Sequence, residues 1–164
     1  MKKESKSNEI SFFIVLIALG VALAVIFLVQ HPGTVGIQSN TPLDKTFPVG
    51  SIAIGSVKYY VYLAKTLPQQ EQGYMNQTTI GDCNGNSPCL GMLFVFNNVS
   101  TECFWMKNTI MPLKQVWIAN GTVDYVYSAT PKSLATVCAN GNLVLETATN
   151  FTIPAGTRVL FNTS

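Results

Sequence analysis

The sequence has little charge and almost no histidine, and both shortages exclude classes of function. Charged residues make up 11% of the 164 residues, and from Asp44 onward seven Lys and Arg are balanced by six Asp and Glu. A nearly neutral domain lacks the basic surface that nucleic acid requires, so nucleic acid is not an expected partner. The single histidine, His31, precedes that region, which leaves it without a Ser-His-acid triad or a histidine-based metal site. We therefore expect no metal ion and no cofactor.

A long hydrophobic segment covers residues 12–29 and contains no charged or strongly polar side chain. As a helix that rises ~1.5 Å per residue it reaches ~27 Å, which is enough to cross the core of a bilayer. A cleaved signal peptide is the alternative, but its hydrophobic stretch is usually about 7–15 residues long. The sequence predicts a single transmembrane helix that stays attached and makes the membrane a partner of the chain.

The distribution of lysine gives the predicted helix an orientation. Lys2, Lys3 and Lys6 precede it, and no Lys or Arg follows before Lys45. Positive residues stay on the cytoplasmic side, so the N-terminus is expected in the cytoplasm and the rest outside. The predicted organisation is a cytoplasmic tail at 1–11, a transmembrane helix at 12–29, a flexible linker at 30–48 and an extracytoplasmic domain at 49–164. This describes a single-pass protein of the cell membrane.

Four cysteines, an even number, all lie in the predicted exported part. An oxidising compartment makes disulfides the expected state. Residues 84–88 are rich in turn formers, which favours Cys83–Cys89 and Cys103–Cys138 among the three possible pairings. Zinc is the alternative, but structural zinc sites favour Cys pairs two to four residues apart, and these spacings do not fit.

Five sequons for N-glycosylation occur where roughly two are expected by chance from the composition. Their frequency suits an exported domain, so all five are candidates for modification. The candidate acceptors are Asn76, Asn98, Asn120, Asn150 and Asn162.

The domain carries the pattern of a mostly β protein. Hydrophobic and polar residues alternate over 57–63, and the apolar run at 92–96 suits a strand buried on both faces. Asn120-Gly121 lies between two alternating runs and predicts a hairpin turn, and Asn140-Gly141 is expected to separate strands as well. A short helix is predicted over 67–77. Six or more strands with one helix predict a β-sandwich or a barrel-like fold.

Several short motifs carry a resemblance to a known family. They are Gly73-Tyr74-Met75, Gly91-Met92-Leu93-Phe94-Val95-Phe96, Phe104-Trp105-Met106-Lys107-Asn108-Thr109, Pro112-Leu113 and Val144-Leu145-Glu146. In this order and spacing the chain resembles the prokaryotic family called domain of unknown function 192 over roughly residues 52–161. The resemblance implies a compact β-sandwich-like fold with a short helix, often exported, and it brings no established activity.

The segment Trp105–Asn108 is the candidate binding site. If the chain is extended there, Phe104 and Met106 share one face while Trp105 and Lys107 share the other. An aromatic ring beside an ammonium and the carboxamide of Asn108 suits a sugar or an acidic group. In the alternative, purely structural interpretation, Trp105 fills the core, Lys107 pairs with Glu146 or Glu102, and Asn108 ties the turn before Pro112.

Three functions follow from these residues. The first is a membrane-anchored extracytoplasmic module that binds a glycan, a peptide or a partner protein through Trp105, Lys107 and Asn108. The second is a small hydrolase or lyase in which Lys107 and Glu146 act together. The third is a purely structural envelope protein. The bridged cysteines cannot attack a substrate and no local pair of carboxylates is present, so we favour binding over catalysis.

Overall fold

The computed structural model describes residues 43–83 and 89–161. Within this part of the chain, no helix combines the length and the apolar character needed to cross a bilayer. The predicted cytoplasmic tail, transmembrane helix and most of the predicted linker lie outside the described residues, as do His31 and Asn162.

The described residues form two short helices and seven strands. The helices are α1 (Leu43–Thr46) and α2 (Leu67–Gln72). The strands are β1 (Val49–Ile54), β2 (Val57–Ala64), β3 (Gly91–Phe104), β4 (Leu113–Ala119), β5 (Thr122–Ala129), β6 (Val137–Ala148) and β7 (Val159–Phe161). The prediction of a mostly β domain is confirmed, and the described residues contain two short helices where one was predicted.

All seven strands belong to one sheet in the order β5-β4-β6-β3-β2-β1-β7. Only β2 and β3 run parallel, and the other neighbours are antiparallel. The two ends of the sheet approach each other, because the N–H of Val123 donates to Thr157 O over 2.9 Å and the N–H of Val159 donates to Gly121 O over 2.9 Å. The sheet is therefore a curled half-barrel and not a two-sheet sandwich.

Both faces of the central strands are buried. Successive side chains of a strand point to opposite faces, and in β3 Met92 and Phe94 join one hydrophobic cluster while Leu93 joins another. All three side chains are almost completely buried. The prediction of a strand buried on both faces is confirmed at residues 92–94.

The two Asn-Gly pairs have different roles. Asn120 and Gly121 have φ of 50° and 76° and form the tight turn between β4 and β5, as predicted. The prediction of a break at Asn140-Gly141 is wrong, because β6 continues through both residues and pairs them with Thr101 and Ser100. At Gly141 a Cβ atom would lie 3.0 Å from Leu143 O, so the missing side chain permits close packing and no turn is required.

The predicted helix over 67–77 is shorter than expected. It begins after Thr66, whose N–H donates to Gln69 Oε1 over 3.1 Å, and it ends where Gly73 adopts φ of 44°. Tyr74, just beyond the helix, is buried against the core, whereas Leu67 is exposed. The helix therefore ends before Tyr74, whose side chain packs into the core from the turn that follows.

The cysteines pair as the turn-rich loop and the even count predict. Cys83 joins Cys89, and both are buried. Cys103 joins Cys138, its direct partner across the β3–β6 ladder, and both residues are exposed. One disulfide therefore closes a short loop against the core, and the other links two neighbouring strands at the surface.

Candidate functional site

The segment that follows β3 presents alternate side chains to the core and to solvent. β3 ends at Phe104, so the strand does not continue through Trp105 to Lys107. The alternation nevertheless persists: Phe104 and Met106 pack in the core cluster, and Trp105 and Lys107 are exposed. With 46% of its surface exposed, Trp105 does not fill the core, and that part of the structural interpretation is wrong.

The buried indole belongs to the other tryptophan. Trp117 on β4 is completely buried, packs edge to face against Phe104 at 5.8 Å between ring centroids, and donates from Nε1 to Glu102 O over 2.9 Å. Trp117 is therefore the tryptophan of the core, and Trp105 lies at the surface.

Lys107 and Asn108 line a surface concavity of about 410 Å³. Its lining combines two lysines, two asparagines and two aliphatic side chains. The lining residues are Asn76, Lys107, Asn108, Ile110, Lys132 and Leu134. The predicted site residues Lys107 and Asn108 are thus brought together with four residues from other parts of the chain.

Three left-handed turns build this concavity. Asn76, Asn108 and Lys132 have φ of 62°, 57° and 59°, and they are three of the four non-glycine residues with positive φ in the described part of the chain. The N–H of Asn76 donates to Asn108 O over 2.8 Å, and the N–H of Lys132 donates to Thr109 O over 2.9 Å. Asparagine tolerates this conformation, but lysine rarely adopts it. Strained backbone that is held by its surroundings is typical of binding sites.

The concavity carries positive charge. Among the described residues that line it, two are lysines and none is acidic. The Lys107 ammonium lies 4.9 Å from the centroid of the Trp105 ring, a cation–π contact that holds its long side chain in place. Trp105 therefore positions Lys107 and is not itself part of the lining.

Part of the lining of the concavity is apolar. Leu134 is 70% exposed and Ile110 is 40% exposed, although both are aliphatic. Sequence reasoning missed Ile110, Lys132 and Leu134, since only the long-range contacts of the turns place them beside Asn108.

The second group of interest is a buried carboxyl group. Glu146 on β6 is 5% exposed, and its Oε1 accepts a hydrogen bond from Gln115 Nε2 over 3.0 Å. Burial raises the pKa of Glu146 to about 7, and the Gln115 hydrogen bond offsets part of that rise. Burial likewise raises the pKa of Tyr74, with a smaller contribution from the charge of Glu146.

Lys107 and Glu146 have different partners. The Lys107 ammonium lies over Trp105 at the surface, while the Glu146 carboxylate is bonded to Gln115 inside the core. The geometry does not join them into one local acid–base pair.

Four of the glycosylation candidates fall within the described residues. Asn98, Asn120 and Asn150 are exposed, at the β3 bulge, in the β4–β5 turn and just after β6. Asn76 is half-buried and lines the concavity. A glycan on Asn76 would fill the concavity, so the three exposed acceptors are sterically better suited to modification. Glycosylation itself stays a prediction.

A second concavity, of about 380 Å³, lies where the ends of the sheet meet. Val95, Phe96 and Leu160 line it together with the polar residues Asn120 and Asn142. No charged side chain lines it among the described residues, so it offers no feature that selects a charged ligand.

Comparisons with known proteins agree on the fold. The sequence of residues 49–160 matches the family DUF192, described as "Uncharacterized ACR". A putative transcription regulator from Sinorhizobium meliloti has a solved structure that is 27% identical, with a TM-score of 0.60 over 70% of this chain and 95% of that one. A protein of unknown function from Novosphingobium aromaticivorans is 26% identical, with a TM-score of 0.57 over 69% of this chain and 83% of that one. No curated protein matches the chain.

Proposed function

The chain belongs to the DUF192 family, whose description names no activity, and we propose that its domain is a membrane-anchored extracytoplasmic binding module for an anionic ligand. The ligand is a negatively charged group carried by a glycan, a peptide or another partner. The binding site is the concavity around Lys107, Asn108 and Lys132.

One observation carries this proposal: among the described residues, two ammonium groups and no carboxylate line a concavity built from left-handed turns, one of which strains Lys132. A cluster of like charges is unfavourable unless an opposite charge meets it, and the surrounding domain is nearly neutral. Hydrogen bonds to charged groups contribute about 1.5–3 kcal/mol each, roughly twice the contribution of neutral ones. The concavity therefore favours a carboxylate, phosphate or sulfate over a neutral group.

Each residue has a distinct task in this proposal. Lys107 and Lys132 supply charge, and the carboxamides of Asn76 and Asn108 supply donors and acceptors for the rest of the ligand. Contact with Trp105 limits the motion of the Lys107 side chain, which lowers the entropy lost when a ligand binds.

The placement outside the cytoplasm rests on the hydrophobic segment at 12–29 and on the cysteines. Every described cysteine lies beside a cysteine partner, and disulfides persist in oxidising compartments. This supports an exported domain, in agreement with the lysines that precede the hydrophobic segment.

Two alternatives are less well supported. A carboxyl group with a pKa of about 7 could serve as a general acid or base, but Glu146 is buried and hydrogen-bonded to Gln115, whereas the exposed Lys107 has its ammonium over Trp105. A purely structural role does not explain why Lys132 adopts a strained conformation beside an exposed, lysine-lined concavity.

The test is a fluorescence titration of the full chain in nanodiscs of zwitterionic lipid, with a galacturonate oligomer as acidic probe and a maltose oligomer as neutral probe. Only Trp105 of the two tryptophans is exposed, so it reports on the site. We expect a saturable response to the acidic probe that Lys107→Gln and Lys132→Gln each weaken. Lys58→Gln is the matched control, because Lys58 also lies over an aromatic ring, that of Tyr60, at 5.3 Å. Equal responses to both probes would contradict the proposal.

A further inference from the structure

We propose that the same surface docks the domain onto a bilayer that contains anionic lipid, with lipid headgroups as the anionic partner. This inference rests on the proposed function and names the ligand of that site. The docking face is defined here as Trp105, Lys107, Ile110, Lys132 and Leu134.

The docking face exposes apolar side chains that a soluble anion would leave in water. Leu134, Trp105 and Ile110 are all exposed large hydrophobic residues. Ile110 and Leu134 line the concavity itself, and Trp105 contacts Lys107, which lines it too. Apolar and cationic groups are thus interleaved over one small area.

An anionic bilayer satisfies both kinds of group at once. Its outer layer presents phosphates, with which lysine ammonium groups pair, and the adjacent acyl region accepts aliphatic side chains. Tryptophan is enriched at this interface because its ring is amphipathic. Lysine also extends its charged end toward the headgroups while its stem packs on apolar surface.

Charge complementarity suits an anionic bilayer, and proximity favours the bilayer over a protein partner. No acidic side chain is present among the described residues of the concavity, so nothing there repels phosphate. If residues 12–29 cross the membrane as predicted, thirteen residues separate Val29 from Leu43, and they span at most about 45 Å when fully extended. The bilayer is then the one partner always within reach, and a weak docking surface is sufficient.

The experiment reconstitutes the full chain into nanodiscs of phosphatidylcholine alone or mixed with phosphatidylglycerol. Lipids brominated near the headgroup serve as the quencher, and Trp105→Phe provides the baseline contributed by buried Trp117. We expect the brominated lipids to quench Trp105 fluorescence in the anionic discs and to leave it unquenched in discs of phosphatidylcholine alone. The double variant Lys107→Gln/Lys132→Gln should lose the quenching in anionic discs, and so should Ile110→Ser/Leu134→Ser. Lys58→Gln should retain it.

The inference is overturned if Trp105 is unquenched in anionic discs, or if quenching is equal in neutral discs or in the double lysine variant. The outcome is separable from that of the proposed function. A chain that responds to the galacturonate oligomer but is not quenched in anionic discs binds anions and does not dock. A chain that does neither fails both proposals.

Discussion

Gln115 donates a hydrogen bond from Nε2 to Oε1 of Glu146, its direct partner across the β4–β6 ladder, over 3.0 Å. A single carboxamide replaces little of the water that an ionised carboxylate loses on burial. The protonated form of Glu146 is therefore favoured in the folded protein, and its pKa rises from 4.5 to about 7.

The raised pKa makes stability depend on pH. The folded state holds a proton on Glu146 that the unfolded state releases, so the contribution of Glu146 to stability is largest below pH 4.5 and is lost as pH rises through about 7. The expected loss is about 3 kcal/mol at most, since one pKa unit corresponds to about 1.4 kcal/mol. Denaturant titrations across this range measure it.

Glu146→Gln is the matched variant, because it keeps the shape and a hydrogen-bonding group but does not titrate. The variant should gain stability relative to the wild type as pH rises from 4.5 to about 7. A stability difference that stays constant over this range would show that Glu146 titrates normally.

Truncation of the two tryptophans should destabilise the protein to very different extents. Trp117→Ala removes a completely buried ring and is expected to cost about 3–5 kcal/mol of unfolding free energy. Trp105→Ala removes a half-exposed ring and should cost less than about 1 kcal/mol. Urea unfolding measures both variants. A large loss of stability in Trp105→Ala would show that this residue has a structural role.

Gly91 is expected to tolerate no side chain. A Cβ atom there would overlap the Glu146 carbonyl oxygen and lie 3.1 Å from Thr147 Cα, both backbone atoms of the neighbouring strand. Gly91→Ala should therefore cost about 3 kcal/mol or more, or prevent folding. At Gly50 an added Cβ meets only the side chain of Leu63, which can move, so Gly50→Ala should cost about 1 kcal/mol. Thermal unfolding compares the two, and equal losses would disprove the packing argument.

The two disulfides should differ in their contributions. Removal of Cys103–Cys138, whose partners are 35 residues apart, should cost about 4 kcal/mol in the chain-entropy account. Removal of Cys83–Cys89, with a separation of 6 residues, should cost about 2 kcal/mol. Urea unfolding of the two paired Cys→Ala variants measures both losses of unfolding free energy. A larger loss for the Cys83–Cys89 pair would contradict the prediction.

Local patterns predicted much of the fold. Alternation and apolar runs located β2, β4, β5 and the buried start of β3, because those strands have a simple relation to the core. The break predicted at Asn140-Gly141 was wrong, since a dipeptide that suits a tight turn also suits a strand that packs closely against its neighbour. β1 was missed because its sequence, VGSIAI, has a weak pattern.

The site could be predicted only in part. The alternation of Phe104, Trp105 and Met106 is a local property, and it correctly placed Trp105 on the face opposite to the other two, but it did not decide which face is buried. The position of Lys132 beside Asn108 depends on the backbone hydrogen bond from the Lys132 N–H to Thr109 O. No spacing in the sequence predicts this hydrogen bond. Likewise, the burial of Trp117 in place of Trp105 follows from the position of β4 between β5 and β6 in the curled sheet.

The central claim is that Lys107 and Lys132 together bind an anionic group. The most direct measurement is the dissociation constant for the galacturonate oligomer at low and high salt, for the wild type, each single Lys→Gln variant and the double variant. Screening weakens binding between charges, so the account predicts that affinity falls with salt in the wild type and that the double variant loses both the affinity and its salt dependence. A double variant that binds as tightly as the wild type, with the same response to salt, would contradict it.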